Sequence, residues 1–161
     1  MAAHVRVGQG WDIHRLAADR QLILGGVAIP FDRGLAGHSD ADVLTHALID
    51  ALLGAMADGD IGTHFPDSDP QWQGVSSLQL LGSVMERVRD TGWRVGNVDL
   101  TVVAEAPRLG PHREAIGRSL AGVLGVDSGA VSIKAKTAEG LGPEGAGEAI
   151  SAQAVVLLTV A

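Results

Sequence analysis

The chain has 161 residues and a formal net charge of −7, with 46% hydrophobic and 19% charged residues. This balance fits one folded domain with its own core and excludes an intrinsically disordered chain. The acidic charge disfavours nucleic-acid binding, and the absence of cysteine excludes disulfides, thiolate catalysis and cysteine-bound metals. Any metal ion must therefore be bound by histidine, aspartate or glutamate. Neither a membrane span nor a signal peptide is predicted, so we expect a cytoplasmic protein.

The first part of the chain predicts short strands followed by a loop. An alternating strand begins at residues 4–8 and continues in extended form. Residues 21–30 contain two apolar strands around Gly25 and Gly26, which is the pattern of a β-hairpin. Residues 31–38 have little periodicity, and we expect a mobile loop there.

The rest of the chain alternates between helices and strands. Ser39 and Asp42 have the spacing of a capping pair at the start of a helix. Polar residues 63–75 and the glycine-rich residues 138–147 are predicted to be loops. The predicted helices are residues 39–56, 76–90 and 111–124, and the predicted strands are residues 95–104, 131–137 and 149–160.

These elements predict an α+β fold in a single domain spanning residues 1–161. The strand, helix and strand between residues 95 and 137 should form a right-handed parallel crossover. The last strand follows a loop and could run antiparallel to its predecessor. We expect a small mixed β-sheet with helices packed on one face.

Two separate parts of the chain carry residues that suit a metal ion. Asp12 and His14 stand two residues apart on the first strand, so their side chains point to the same side. His46 lies on the first helix beside its apolar stripe. Two imidazoles and a carboxylate suit zinc, and three protein ligands would leave one position open for catalysis. Spacing alone favours a simpler interpretation, with Asp12 in a capped turn, His14 on the surface and His46 at the core edge.

Two loops have features that suit phosphate groups. Residues 37–42 lead into a helix N-terminus, where free N–H groups attract anions and where His38 can donate a hydrogen bond. Simple capping by Ser39 would explain the same residues. Thr137 and Glu139 follow a strand, and Glu139 offers an oxygen atom to a second cation such as Mg²⁺. A turn glutamate without a ligand is the alternative.

Several short segments, taken together and in their order along the chain, indicate a protein family more specifically than any one of them does. They are residues 6–15, residues 37–43 with His46, and residues 59–62, 65–70, 96–99 and 106–109. Together they resemble the family of 2-C-methyl-D-erythritol 2,4-cyclodiphosphate synthases of the non-mevalonate isoprenoid pathway. The resemblance spans nearly the whole chain.

The resemblance implies an assembly and its metal ions. It implies a homotrimer with active sites between neighbouring subunits. It also implies a divalent metal, usually zinc, bound by Asp12, His14 and His46, and a second ion, Mg²⁺ or Mn²⁺, bound near Glu139.

The resemblance further implies the substrate, a cytidine diphosphate ester named 4-diphosphocytidyl-2-C-methyl-D-erythritol 2-phosphate. Its 2-phosphate attacks the β-phosphorus of the diphosphate, CMP leaves, and a cyclic diphosphate forms. His38 and Thr137 match the positions that stabilise the transition state. The positions that match substrate contacts are Asp12, His14, His38, Ser39, Asp60, Gly62, Phe65, Asp67, Asp69, Ala104, Ala106, Pro107, Arg108, Leu109, Gly110, Lys136, Thr137 and Glu139.

The chain departs from the family pattern at three positions. Gln9 stands where histidine is common, Pro143 replaces an aromatic residue, and Ala146 replaces an arginine near the trimer axis. That arginine has been linked to a further phosphorylated ligand, so the resemblance does not extend to such a ligand here.

Two rival interpretations use the same metal-binding residues. A zinc-dependent phosphodiesterase would activate a metal-bound water to hydrolyse a nucleoside diphosphate ester. A trimeric binding module with a structural metal would need a closed site of four ligands.

Overall fold

Seven β-strands are present in the computed structural model, which describes residues 4–161. They are β1 (Val5–Ala17), β2 (Leu22–Leu24), β3 (Val27–Ile29), β4 (Gly34–Leu35), β5 (Trp93–Val103), β6 (Val131–Lys136) and β7 (Ala149–Val160). Five of them form one sheet in the order β4-β1-β7-β5-β6, and β2 and β3 form a separate hairpin. Strands β5 and β6 run parallel, whereas the other pairs are antiparallel.

Three long helices cover one face of the five-stranded sheet. The helices are α1 (Val43–Met56), α2 (Ile61–His64), α3 (Ser77–Asp90), α4 (Arg113–Leu124) and α5 (Gly142–Gly145). Helices α1, α3 and α4 pack with the inward-facing residues of the sheet in one continuous apolar core. The predictions of an α+β fold, of a mixed sheet and of helices on one face are confirmed.

Most of the predicted elements are confirmed, but three of the predicted loops contain short elements. Strand β7 pairs antiparallel with β1 and β5, and because β5 and β6 are parallel it also runs antiparallel to its predecessor β6, as predicted. Its apolar residues suit the middle of the sheet, while β6 lies at the edge. Residues 31–38, predicted as a loop, include β4, and residues 63–75 include a one-turn 3₁₀ helix over Pro70–Trp72. The glycine-rich residues 138–147 include the short helix α5.

Two glycines allow β1 and α1 to approach more closely than side chains would permit. A Cβ atom on Gly8 would overlap the carbonyl oxygen of Ala51 and lie 2.7 Å from the Ala55 nitrogen. On Gly10, it would overlap the carbonyl oxygen of Ala47 and lie 2.8 Å from the Ala51 nitrogen. The strand backbone therefore lies directly against the helix, which fixes the separation between the side chains that follow on the two elements.

Asp42, not Ser39, is the N-cap of α1, so the predicted capping pair is wrong. The Asp42 carboxylate is fully buried and accepts hydrogen bonds from the backbone N–H groups of Gly25 and Gly26 at 2.9 and 2.8 Å. It also accepts from the N–H and hydroxyl groups of Thr45 at 3.0 and 2.7 Å. Burial raises the pKa of Asp42, and these donors oppose that shift. The helix begins later than predicted because this carboxylate also holds the hairpin turn, and the Thr45 N–H is not free for a phosphate.

We expect Asp42→Asn to lower the free energy of unfolding by about 2–4 kcal/mol. One carboxylate oxygen becomes an NH₂ group that faces two donors, so both of them lose their acceptor. Thr45→Val removes one donor and should cost only about 1 kcal/mol. Urea unfolding followed by circular dichroism measures both values. Equal losses in the two variants would contradict this account of the carboxylate.

The sheet face opposite the helices exposes several apolar side chains in the single chain. Val7 and Trp11 of β1 are 65% and 53% exposed, and Val155 of β7 is 44% exposed. Gln9 lies directly opposite Val155, so these residues share one face. An exposed apolar surface of this kind marks an interaction site. Among residues 4–161, no helix is both long enough and apolar enough to cross a membrane.

Candidate metal centre and active site

Asp12, His14 and His46 form one group at the contact between β1 and α1. Their possible ligand atoms lie within 4.8 Å of one another. Nε2 of His14 is 2.8 Å from Oδ2 of Asp12, and Nδ1 of His46 is 3.2 Å from the same oxygen. The two ring nitrogens are 3.1 Å apart. The structure therefore groups three residues that spacing alone assigned to separate roles.

The remaining polar atoms of these side chains are held by other groups. Oδ1 of Asp12 accepts a hydrogen bond from the N–H of Ile13 at 2.9 Å. Nδ1 of His14 lies 2.9 Å from the carbonyl oxygen of Ala36, which can only accept, so this nitrogen carries the proton. His46 is held through its Nε2 by neighbouring hydroxyl groups. Oδ2 of Asp12, Nε2 of His14 and Nδ1 of His46 are thus left to face a common point.

This donor set fits a divalent transition metal. One carboxylate oxygen and two imidazole nitrogens suit zinc, and outer hydrogen bonds of the kind described are typical of metal-binding histidines. The group contains three possible ligands among residues 4–161. It therefore lacks the fourth protein ligand that a closed structural site requires, and it leaves a position open.

Asp12 and His14 form an ion pair within the group. Burial alone would raise the pKa of Asp12, but the hydrogen bonds and charges of His14 and His46 outweigh it and lower the pKa to about 2. Burial acts to lower the pKa of His14, but Asp12 and the carbonyl of Ala36 outweigh it and raise the pKa. Without a metal, His14 therefore keeps its second proton to a higher pH than an ordinary histidine does.

We expect Zn²⁺ binding to release protons and to weaken as the pH falls, because the metal displaces a proton from His14. The pKa of His14 is raised above 6.5, so this competition extends above that pH. Titration calorimetry at pH 6.5 in two buffers of different ionisation enthalpy counts the protons released. Binding without proton release at that pH would contradict the prediction.

Protonated His14 opposes metal binding, but its pairing with Asp12 stabilises the metal-free fold. The contribution of His14 is fully present below pH 6.5 and is lost as the pH rises through its raised pKa. The contribution of Asp12 is present above pH 3.8 and is lost as the pH falls toward about 2. The proton and the metal therefore stabilise this group in different ranges of pH.

A cavity of about 380 Å³ opens beside the metal-binding group. Sequence reasoning missed Trp72, whose ring meets that of Phe65 edge-on with centroids 5.1 Å apart. The signal for it was an aromatic residue within an otherwise polar loop. The predicted residues that line the cavity are Asp12, His14, His38, Ser39, His46, Gly62, Phe65 and Asp67, together with Pro66 from the predicted segment 65–69, and those that were missed are Gly37, Ile61, Trp72 and Leu80.

Two predicted substrate contacts do not line this cavity in the single chain. Asp60 is the N-cap of α2, and its carboxylate accepts hydrogen bonds from the N–H and hydroxyl groups of Thr63 at 2.9 and 2.8 Å. Asp69 accepts a hydrogen bond from the N–H of Gln71 at 3.0 Å. Both carboxylates therefore shape the loop that carries other residues of the cavity.

A second cavity of about 380 Å³ lies where β5 and β6 end. Arg108, Arg113 and Lys136 give it three cationic side chains, so this acidic chain gathers positive charge at one point. The predicted residues that line it are Ala104, Pro107, Arg108, Leu109, Gly110, Lys136 and Thr137, together with Glu105 from the predicted segment 104–110, and those that were missed are Pro111, Arg113 and Ala135.

Ala106 and Glu139 do not line the second cavity. Glu139 lies beside it, since the hydroxyl of Thr137 donates to Oε1 of Glu139 at 2.9 Å. Within the described chain, Glu139 joins no group of three or more possible metal ligands. His38 lines the first cavity and Thr137 the second, so the structure does not bring the two predicted catalytic residues together in one chain.

The fold and the site define an α+β protein with a candidate divalent-metal centre at the mouth of a cavity. Residues 5–159 match the YgbB family. The chain is 61% identical over 154 residues to 2-C-methyl-D-erythritol 2,4-cyclodiphosphate synthase from Gloeobacter violaceus, covering 96% of this chain and 94% of that protein. It is 55% identical over 150 residues to the bifunctional enzyme IspD/IspF from Erythrobacter litoralis, covering 93% of this chain and 39% of that protein. The chain therefore belongs to the YgbB family.

Solved structures share the same fold. The bifunctional IspDF from Campylobacter jejuni matches with a TM-score of 0.96 and 36% identity, covering 99% of this chain and 43% of that chain. A complex of IspF from Plasmodium falciparum with CDP matches with a TM-score of 0.86 and 34% identity, covering 99% of both chains. The family relationship thus extends to the three-dimensional structure.

Proposed function

We propose that this chain is a 2-C-methyl-D-erythritol 2,4-cyclodiphosphate synthase. It would convert 4-diphosphocytidyl-2-C-methyl-D-erythritol 2-phosphate to the cyclic diphosphate and CMP. The observation that carries the proposal is the group formed by Asp12, His14 and His46 at the mouth of a cavity. The close relative of that name and the IspF complex with CDP support it.

The reaction has an electrostatic obstacle that this site is suited to overcome. The attacking phosphate and the diphosphate are both anionic, so they repel each other unless their charge is neutralised and they are held in line. A divalent ion, Zn²⁺ in this proposal, held by Asp12, His14 and His46 would supply positive charge at the phosphate oxygens. The nucleophile is already ionised at neutral pH, so no strong general base is needed. Holding both groups on one molecule in the reactive geometry provides much of the rate.

The first cavity is lined by polar and by apolar residues, and we assign the two kinds different roles in binding the substrate. His38 and Ser39 stand next to the metal-binding group and can donate hydrogen bonds to phosphate oxygens. Phe65 and Trp72 form an apolar wall, which suits the methylated carbon chain and keeps water from hydrolysing the diphosphate. The carboxylate of Asp67 suits the hydroxyl groups of the substrate.

The second cavity would bind the nucleotide half of the substrate. Arg108, Arg113 and Lys136 offer positive charge to its phosphates, and Thr137 adds a hydroxyl donor. The carboxylate of Glu139 would bind the second cation, Mg²⁺ or Mn²⁺, beside the diphosphate. Neutralising this charge eases the departure of CMP.

We further propose that a neighbouring copy completes each active site in a homotrimer. The predicted catalytic residues His38 and Thr137 line different cavities of one chain, so a shared site needs a second chain. The sheet face that exposes Val7, Trp11 and Val155 supplies a surface for assembly. A repeated head-to-tail contact between unlike surfaces closes into a ring when the rotation allows it.

Phosphorus NMR of the protein with the cytidyl substrate, Mg²⁺ and Zn²⁺ tests the reaction directly. CMP together with a cyclic diphosphate is the expected result. CMP together with an uncyclised methylerythritol bisphosphate would instead indicate a hydrolase, and the proposed exclusion of water would be wrong.

A mixture of His46→Ala and Thr137→Ala subunits is expected to recover activity that neither variant has alone. Each mixed trimer contains one interface where both halves of the site are intact, so random assembly gives about a quarter of the wild-type sites. The two variants are mixed, unfolded, refolded together and assayed for CMP release. No recovery in trimers that contain both chains would contradict sites shared between subunits.

A further inference from the structure

A chain of hydrogen bonds leads from His46 away from the metal-binding group. Nε2 of His46 lies 2.8 Å from the hydroxyl oxygen of Ser77 and 3.1 Å from that of Ser39. The Ser77 hydroxyl contacts Oδ1 of Asp40, and the Ser77 N–H donates to Oδ2 of Asp40 at 3.0 Å. Ser77 has no exposed surface, and His46 is 8% exposed. The contact between His46 and Ser77 therefore lies in the interior, where water does not compete for it, and Asp40 is partly buried.

The direction of each hydrogen bond follows from which groups hold protons. A carboxylate can only accept, so the single hydroxyl proton of Ser77 is donated to Asp40. The Ser77 oxygen must then act as the acceptor toward His46, and Nε2 of His46 must carry a hydrogen. When Nδ1 binds a metal ion through its lone pair, the imidazole hydrogen lies on Nε2, where the Ser77 oxygen accepts it. Nδ1 is the atom that faces Asp12 and His14.

We propose that Ser77 and Asp40 are positioning residues that keep His46 in the Nε2–H tautomer, with Nδ1 directed at the metal. The inference rests on the metal site of the proposed function, and it adds residues from the N-terminus of α3 and from the loop before α1. Neither residue lines the first cavity. They act through His46 and not on the substrate.

The two serines near Nε2 of His46 have different roles. Ser77 is buried and its proton is committed to Asp40, so it is the fixed acceptor. Ser39 lines the cavity, and its oxygen accepts a hydrogen bond from the N–H of Ala41 at 3.2 Å. The Ser39 proton can therefore be donated into the cavity while Ser77 holds the histidine.

A positioning role must be separated from a purely structural one, because Asp40 also binds the first N–H group of α3. Ser77→Ala keeps that backbone hydrogen bond and removes only the hydroxyl. Ser76→Ala is the matched control, since Ser76 is the adjacent N-cap residue and its side chain makes no capping hydrogen bond. Loss of partners around metal-binding histidines typically weakens metal binding by about 10- to 100-fold.

The test measures Zn²⁺ affinity by competition with a chromophoric chelator, after circular dichroism has shown that each variant is folded. Ser77→Ala should bind Zn²⁺ about tenfold more weakly than the wild type, and Ser76→Ala should bind it equally. Equal affinities in the two variants would overturn the proposal.

Nitrogen-15 NMR of the histidine rings gives a second readout that does not depend on Ser77→Ala folding. In the zinc-loaded protein Nδ1 of His46 should be the bound atom, and Nε2 should carry the hydrogen. In the metal-free protein at alkaline pH, Asp12 can accept a hydrogen bond from Nδ1 and Ser77 can accept one from Nε2, so the ratio of the two tautomers is the quantity to measure. In Asp40→Asn, the side-chain amide can donate to the Ser77 oxygen and free the Ser77 proton, so the Nδ1–H tautomer should increase. Zinc bound through Nε2, or an unchanged tautomer ratio in the metal-free Asp40→Asn protein, would overturn the proposal.

The two proposals fail in different ways. A wild-type protein that does not bind Zn²⁺ would contradict the proposed metal centre, and the tautomer measurement in the metal-free protein would still decide the roles of Ser77 and Asp40. Normal Zn²⁺ binding with an unchanged tautomer ratio in Asp40→Asn would overturn only the positioning role.

Discussion

His46→Ala is expected to abolish Zn²⁺ binding and to reduce CMP release by about 10³-fold or more. The variant removes one of three ligands, and the two that remain, Asp12 and His14, are neighbours on one strand. Losing the ion leaves the negative charges of the two reacting phosphate groups without their main compensation. Metal content after gel filtration and the rate of CMP formation measure both effects, and the protein should elute at the same volume as the wild type.

His112→Ala is the matched control for this substitution. His112 precedes α4, its side chain makes no capping hydrogen bond, and it belongs to no metal-binding group in the described chain. Its removal should change neither the metal content nor the rate. A His46→Ala protein that is metal-free and fully active would exclude the proposed mechanism.

Gly10→Ala is expected to cost about 3 kcal/mol or more of folding free energy, at or beyond the upper end of ordinary overpacking. The added methyl group would overlap the backbone of α1 at Ala47, and a backbone cannot rotate away as a side chain can. The helix must therefore move, and with it His46. Chemical unfolding measures the loss of stability, and chelator competition measures the accompanying loss of Zn²⁺ affinity.

Gly122→Ala provides the opposite control. Gly122 lies within α4, and a methyl group there would meet nothing within 4 Å. Because alanine is the better helix former, this variant should gain about 0.5–1 kcal/mol. A Gly10→Ala protein as stable as the wild type would show that strand and helix can separate without cost.

Local sequence patterns predict much of this fold, because each helix, strand and hairpin is indicated by residues that are close together in the sequence. The last strand was predicted at residues 149–160 and is found there, and the hairpin around Gly25 and Gly26 is also found. Helical periodicity and β-branched runs are properties of a short window, so they need no knowledge of the tertiary structure.

Local sequence patterns cannot predict the metal-binding group, because it depends on a contact between segments that are distant in the sequence. His14 and His46 are 32 positions apart, and only the close approach of β1 and α1 brings them together. Spacing alone favoured separate roles, and the family resemblance supplied the grouping. The error at the start of α1 has a similar cause, since the carboxylate of Asp42 binds Gly25 and Gly26 in addition to its own helix.

The position of β7 in the sheet also determines when the metal centre can form during protein synthesis. Val5 pairs with Thr159, and β7 is hydrogen-bonded to both β1 and β5. As the chain leaves the ribosome, β1 and β5 therefore lack the strand between them until residues 149–160 have been made. Pairing of segments so distant in sequence is slow. Asp12 and His14 lie on β1, so we expect the metal-binding group to be held firmly only after residues 149–160 have been made and β7 has joined the sheet.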